Sequence, residues 1–252
     1  MIHHHAIIRK ALDYAYKMDI IPNNPADKVQ RPKKEQYIGS FYNENELNEL
    51  FEKSKDDPLN LMIRIASYYG LRRSEVLGLK WDAFDFNTKT ITIKHTVTIG
   101  KIDGKRQIYS KDRTKNKSSY RTLPLIPEIE QLLLEKKHQQ EEDKKLFGNS
   151  YKNKEDYILV DAEGKLILPD RVTKTFRNLL KDNGLKKIRF HDLRHTYAVN
   201  ALRAGDDIKT VSENLWHATV AFTADTYIHL IDSMRQDSAA RMERYIEAVS
   251  DL

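Results

Sequence analysis

The chain has 252 residues, 40% of them hydrophobic, which excludes a disordered polymer and suits one large packed domain or two small ones. It has no cysteine, which excludes disulfides, thiolate zinc sites and thiol catalysis; no apolar run approaches the roughly 20 residues of a membrane helix, so a soluble protein of a reducing interior is expected. The net charge of +6 leans toward a polyanionic partner, and it is local: eight basic residues between Lys101 and Arg121 face only two acids, Asp103 and Asp112.

In chain order, His3-His4-His5 runs into Ala6-Ile7-Ile8, with Ile8, Leu12 and Ala15 at helical spacing and no capping residue in front. The start reads as cut inside a longer protein, with a tag scar or a natural start as the alternatives. This helix is predicted to end near Met18, because Ile21-Pro22-Asn23-Asn24-Pro25 cannot continue it. Residues 28–40 form a basic linker, and its Arg31, Lys33 and Lys34 fit either a phosphate backbone or a solvated tether.

A helix is predicted after Asn43, which can cap it, with Glu44 and Glu46 in the first turn. A more buried one runs from about Leu59 and stops at Gly70. After Trp81 the periodicity changes to two: Thr90–Lys94, Gln107–Tyr109 and Thr122–Leu125 are predicted as a small antiparallel three-stranded sheet whose hairpins carry the basic cluster. Helices follow at about Glu128–Leu146, Val172–Asp182, Asp192–Ala204, Ile208–Leu215 and Ser233–Val249. The fold class is α+β, mainly helical.

Two segments carry candidate chemistry. His191 and Arg194 of His191-Asp192-Leu193-Arg194-His195 lie three apart on one face at a helix start, where free N–H groups also favour an anion. Gly70-Leu71-Arg72-Arg73-Ser74-Glu75 offers a second arginine, although Arg72 taken singly reads as a surface arginine or one paired with Glu75. Two guanidinium forks can bracket one phosphate and the added charge of its pentavalent transition state. His191 and His195 also have the i, i+4 spacing of a zinc-protease helix, but Asp192 stands where such a helix has Glu and no third ligand follows at a familiar spacing, so no metal is expected.

Taken together, four blocks spread over roughly residues 41–230 resemble the tyrosine recombinases, in the branch of phage and integrative-element integrases. The resemblance implies that Arg72 and Arg194 are the two catalytic arginines, that Glu75 supports the first, and that His191 and His217 are the two histidines. In Thr114-Lys115-Asn116-Lys117, Lys115 takes the position of the catalytic lysine, with Lys117 the lesser candidate. Tyr227, ten residues after His217, takes that of the nucleophile. Lys111, Arg113, Lys117 and Arg121 of the basic hairpin, with Arg31, Lys33 and Lys34, are the expected DNA contacts. One departure stands out: where the family has a small glycine before the second histidine, this chain has Trp216, and a glycine there can adopt a backbone geometry that tryptophan does not easily share.

The resemblance further implies a site-specific recombinase of the bacterial cytoplasm or nucleoid that joins a 3′-phosphate of double-stranded DNA to Tyr227 without metal, ATP or other cofactor. Residues 1–27 would be the end of a helical core-binding lobe and 41–252 the catalytic domain with a tail helix, where Met242, Tyr245, Ile246 and Val249 form an apolar stripe. That stripe fits either the protein's own core or a neighbouring protomer of a tetramer on DNA, and an accessory directionality factor is a further expected partner. Two other classes fit the same blocks: a nicking and resealing enzyme of the type IB topoisomerase kind, and a DNA-binding fragment without recombination activity.

Overall fold

The computed structural model describes residues 2–30, 40–103, 105–112, 120–217, 219–227, 243 and 246. The chain divides into two units, residues 1–38 and 39–252. In the first, helix α1 (Ile2–Lys17) is followed by a single 3₁₀ turn, Pro25–Lys28, which Asn24 caps by accepting from the Ala26 N–H. Arg9 on α1 pairs with Asp27 of that turn at 2.7 Å.

The second unit opens with α2 (Glu44–Lys53). Its capping box is reciprocal: the Asn43 side chain accepts from the Glu46 N–H at 2.9 Å, and Glu46 accepts from the Asn43 N–H at 2.8 Å. Helix α3 (Asn60–Tyr69) ends at Gly70, whose φ of 61° is left-handed. Gly70 is required twice over, because a Cβ there would lie 2.5 Å from Leu215 and 2.6 Å from Tyr197. The short α4 (Arg73–Leu77) follows at once.

The mainly helical α+β class holds, with a different strand membership. The three-stranded antiparallel sheet is β1 (Phe84–Asp85), β2 (Thr90–Ile93) and β5 (Arg121–Pro124), in the order β1-β2-β5. Because β2 is central and both its edges are occupied, residues 107–109 cannot join it. They lie in β4 (Lys105–Asp112), which pairs along its full length with β3 (His95–Ile102), a strand absent from the sequence expectation. The basic stretch is therefore divided between a separate two-stranded hairpin and the segment leading into β5.

Helices α5 (Pro127–Phe147), α6 (Pro169–Asp182), α7 (Asp192–Ala204) and α8 (Ile208–Leu215) complete the named elements, and residues 220–227 are also helical. The main core joins α2, α3, α4, the sheet, α5 and α6 through residues such as Met62, Ile91, Ile129 and Phe176. A smaller cluster holds Ala198, Val199, Leu202, Val211, Leu215 and Tyr227. Helix α7 contributes Leu193 to the first and Val199 to the second, so its N-terminal turn is anchored between two apolar masses. Among the described residues no helix is long and apolar enough to cross a membrane. The predicted tail helix lies outside the described residues, apart from Glu243 and an exposed Ile246.

Candidate active site

The site is assembled where α3, α7 and α8 end or begin. Arg72 stands in an extended conformation just before α4, and its backbone N–H donates to Glu75 at 3.0 Å while its guanidinium donates to the other carboxylate oxygen at 2.8 Å. Glu75 is fully buried, and Arg121 donates to it from β5 at 2.8 Å. A carboxylate removed from water needs such partners, and two arginines from different elements supply them. Arg72 also reaches the Trp216 carbonyl at 3.5 Å.

Arg194 is 3% exposed and ties two helix ends together: it donates to the Gly70 carbonyl at 2.6 Å and to the Leu215 carbonyl. Those carbonyls, at the C-termini of α3 and α8, are ones the helices leave unsatisfied. Each terminal guanidinium nitrogen has a second N–H, so this clamp leaves donors for an anion. Burial and the neighbouring Arg72 push Arg194 down to about 9, which keeps it cationic at neutral pH.

His191 is the residue before α7, whose first turn is fixed by Asp192 accepting from the Arg189 N–H at 2.7 Å and from its guanidinium at 2.6 Å. Burial pushes His191 down to about 4, with His195 and Arg194 adding to the shift. More than a third of its surface is nonetheless open to solvent, which screens these neighbouring charges. His217 is likewise pushed to about 4, by burial and then by Arg194 and Arg72, and its Nδ1 lies 2.7 Å from the Thr223 hydroxyl.

Trp216 has φ 52° and ψ 54°, the left-handed conformation that a glycine adopts without penalty. It ends α8 and lets the chain turn so that Arg72 reaches its carbonyl and His217 faces the arginines. The tryptophan therefore occupies a glycine-type backbone geometry rather than abolishing it.

Tyr227 is 6% exposed at the end of the helical residues 220–227. Burial pushes its hydroxyl up to about 12, and Arg194 opposes that shift. The hydroxyl lies 2.8 Å from His195 Nδ1. Arg72, Glu75, His191, Arg194, His217 and Tyr227, picked out at sequence level, thus belong to one charged cluster of a single chain. Beside it, a cavity of about 610 Å³ is lined by residues including Arg72, Arg73, Ser74, Arg189 and His191.

The expected contact residues fare differently. Arg121 is 8% exposed and turned onto Glu75, because a buried carboxylate is a stronger local attraction than solvent, so it belongs to the interior of the site and not to an exposed DNA-facing surface. Lys111 lies on β4, while Lys115, Lys117, Arg113, Arg31, Lys33 and Lys34 lie outside the described residues. Two residues went unassigned to this cluster: Thr223, which has no sequence signal, and His195, weighed only as a metal ligand. Among the described residues, no group of three His, Asp or Glu with the spacing of a metal site is present.

The chain matches the phage integrase family over residues 40–234. A tyrosine recombinase XerC-like protein of Caldanaerobacter subterraneus subsp. tengcongensis is 31% identical over 242 residues, covering 94% of this chain and 59% of the relative. The ICEBs1 integrase of Bacillus subtilis is 26% identical over 239 residues, covering 94% and 63%. The chain thus spans about three fifths of the length of these relatives. In fold it is similar to the Tn1549 transposon integrase solved with circular intermediate DNA, with a TM-score of 0.73 at 20% identity over 96% of this chain and 78% of that one. It is also similar to the XerA recombinase, with a TM-score of 0.61 at 24% identity over 94% and 75%.

Proposed function

The chain belongs to the phage integrase family, and on that premise we propose that it is the catalytic part of a site-specific DNA recombinase acting through a 3′-phosphotyrosyl intermediate. One observation carries the reading: the Tyr227 hydroxyl is held inside the same chain's cluster of Arg72, Arg194, His191 and His217, within the field of Arg194.

The chemistry follows from that arrangement. A hydroxyl held near 12 is almost wholly protonated at neutral pH and attacks only where its developing charge is met. Arg72 and Arg194 meet it by bracketing the phosphate, with Glu75 and Arg121 holding Arg72 in place. His217 hydrogen-bonds a phosphate oxygen, His191 acts in proton transfer, and Lys115 protonates the departing 5′-oxygen. The phosphotyrosyl bond stores the energy of the broken one, so a 5′-hydroxyl from another strand can reseal the DNA without ATP or metal. Double-stranded DNA is the partner, gripped through phosphates by the basic hairpin around Lys111, Arg113 and Lys117 and by Arg31, Lys33 and Lys34. The protein works as a tetramer on DNA joined through its C-terminal tails, with a directionality factor as an accessory.

Incubation with nicked duplexes that trap the cleaved strand tests this. Wild-type protein is expected to form a denaturant-resistant adduct that Tyr227→Phe does not form, with DNA binding nearly unchanged. An adduct in Tyr227→Phe overturns the assignment. Relaxation of supercoiled DNA without strand exchange would make the protein a nicking and resealing enzyme.

A further inference from the structure

Among the described residues, the side chain that hydrogen-bonds the Tyr227 hydroxyl is none of those given a catalytic role above. His195 Nδ1 lies 2.8 Å from it, and the two rings meet edge to face with centroids 6.0 Å apart. His191, to which proton transfer falls by resemblance, instead has its ring against His195, at 5.6 Å and nearly perpendicular. His217 has its Nδ1 committed to Thr223.

We propose that His195 is a further catalytic residue: its Nδ1 holds the Tyr227 hydroxyl and, in the place given above to His191, takes the hydroxyl proton as that oxygen attacks phosphorus. This rests on the reading of Tyr227 as nucleophile. In the forward step the Tyr227 O–H bond breaks, its proton passes to His195 Nδ1, the tyrosyl oxygen bonds to phosphorus, and the P–O5′ bond breaks with its electron pair leaving on the 5′-oxygen, which Lys115 protonates. In the reverse step, the incoming 5′-hydroxyl gives its proton to Lys115, and His195 returns its proton to the tyrosyl oxygen as that oxygen leaves. No oxidant, metal or other co-reactant enters.

The surroundings suit the role. His195 lies on α7 directly after Arg194 and one turn beyond His191, so the turn that positions a phosphate-bracketing arginine also positions the base. Burial pushes His195 below its ordinary value, Arg189 and Arg194 push the same way, and Asp192 opposes them. It is therefore neutral at physiological pH and able to accept a proton. Among the described residues, the other titratable groups facing it are His191 on the residue before α7 and His217 and Tyr227 from the segments after α8. A docked phosphate adds negative charge that stabilises the imidazolium as the proton arrives.

Asparagine offers an acceptor near the Nδ1 position but takes no proton, so the test compares His195→Asn and His195→Ala with wild type and Tyr227→Phe. The substrates are duplexes that the wild-type protein captures covalently from a randomised pool. Single-turnover cleavage is expected to fall about 100-fold or more in both His195 variants, with DNA binding and thermal midpoint of His195→Asn close to wild type. The wild-type rate should level off near neutral pH, whereas that of His195→Asn should keep rising with pH. A 5′-bridging sulfur needs no proton to leave, so it should not restore His195→Asn. Cleavage by His195→Asn within about threefold of wild type, or rescue by the sulfur substrate, overturns the proposal while Tyr227→Phe remains inactive. An adduct in Tyr227→Phe, or none in wild type, instead overturns the reading of Tyr227 on which it rests.

Discussion

Arg121 donates to Glu75 at 2.8 Å, with the carboxylate fully buried and the arginine nearly so. An arginine of the sheet and an acid of α4 thus meet out of solvent, and the acid's other oxygen holds Arg72. Orientation of Arg72 depends on this pair, because a guanidinium more than a third exposed would otherwise sample many rotamers.

Glu75→Ala removes the buried carboxylate that Arg72 and Arg121 share, and is expected to destabilise the fold by about 3–5 kcal/mol. Glu75→Gln keeps an acceptor and should lose less stability, while DNA cleavage still falls because Arg72 is less firmly held. Urea denaturation and single-turnover cleavage separate the two effects.

Arg194→Lys replaces a fork by a point charge. Lysine cannot span the Gly70 and Leu215 carbonyls together, so a loss of about 2–3 kcal/mol is expected, whereas Arg72→Lys should leave stability within about 1 kcal/mol. Thermal unfolding of the two variants makes the comparison.

Gly70→Ala places a methyl group against Leu215 and Tyr197 at a φ of 61°. Left-handed strain and the clash together should cost about 2–4 kcal/mol. At Trp216 the argument runs the other way. Trp216→Gly relieves strain and should be tolerated, while Trp216→Val, β-branched at φ 52°, should be less stable than the glycine variant by about 1–2 kcal/mol. Equal stability of the two Trp216 variants in urea would contradict this.

Acid should destabilise the folded state through His191 and His217. Both are held near 4 in the fold against an ordinary 6.5, so between those values the unfolded chain binds more protons. Stability from these groups is complete above about pH 6.5 and is lost as pH falls toward 4, at no more than about 1.4 kcal/mol per pH unit for each, and less for the partly exposed His191. Urea midpoints from pH 4 to 7 should fall with acidity, and His217→Asn should flatten the slope.

Legibility in the sequence followed the range of the signal. The Asn43 cap, the stop at Gly70 and the bounds of α7 and α8 are written in residues within one turn of each other, and the structure has them as expected. Strand β3 was missed because only Lys94 separates it from β2, and nothing local says that residues 95–102 pair with 105–112 instead of extending the sheet. Arg121 looked like one more member of a basic run, since its partner Glu75 is 46 positions away. His195 was visible as an i, i+4 companion of His191, but its link to Tyr227 spans 32 residues and exists only once residues 220–227 fold back on α7.

The central claim is that the oxygen of Tyr227 becomes the one joined to DNA. Trypsin releases residues 210–235 as one peptide in which Tyr227 is the single tyrosine. After covalent capture of DNA and nuclease trimming, mass spectrometry of that peptide should show a 3′-linked nucleotide on Tyr227. A nucleotide on any other residue, or an adduct whose 210–235 peptide is unmodified, would contradict the account.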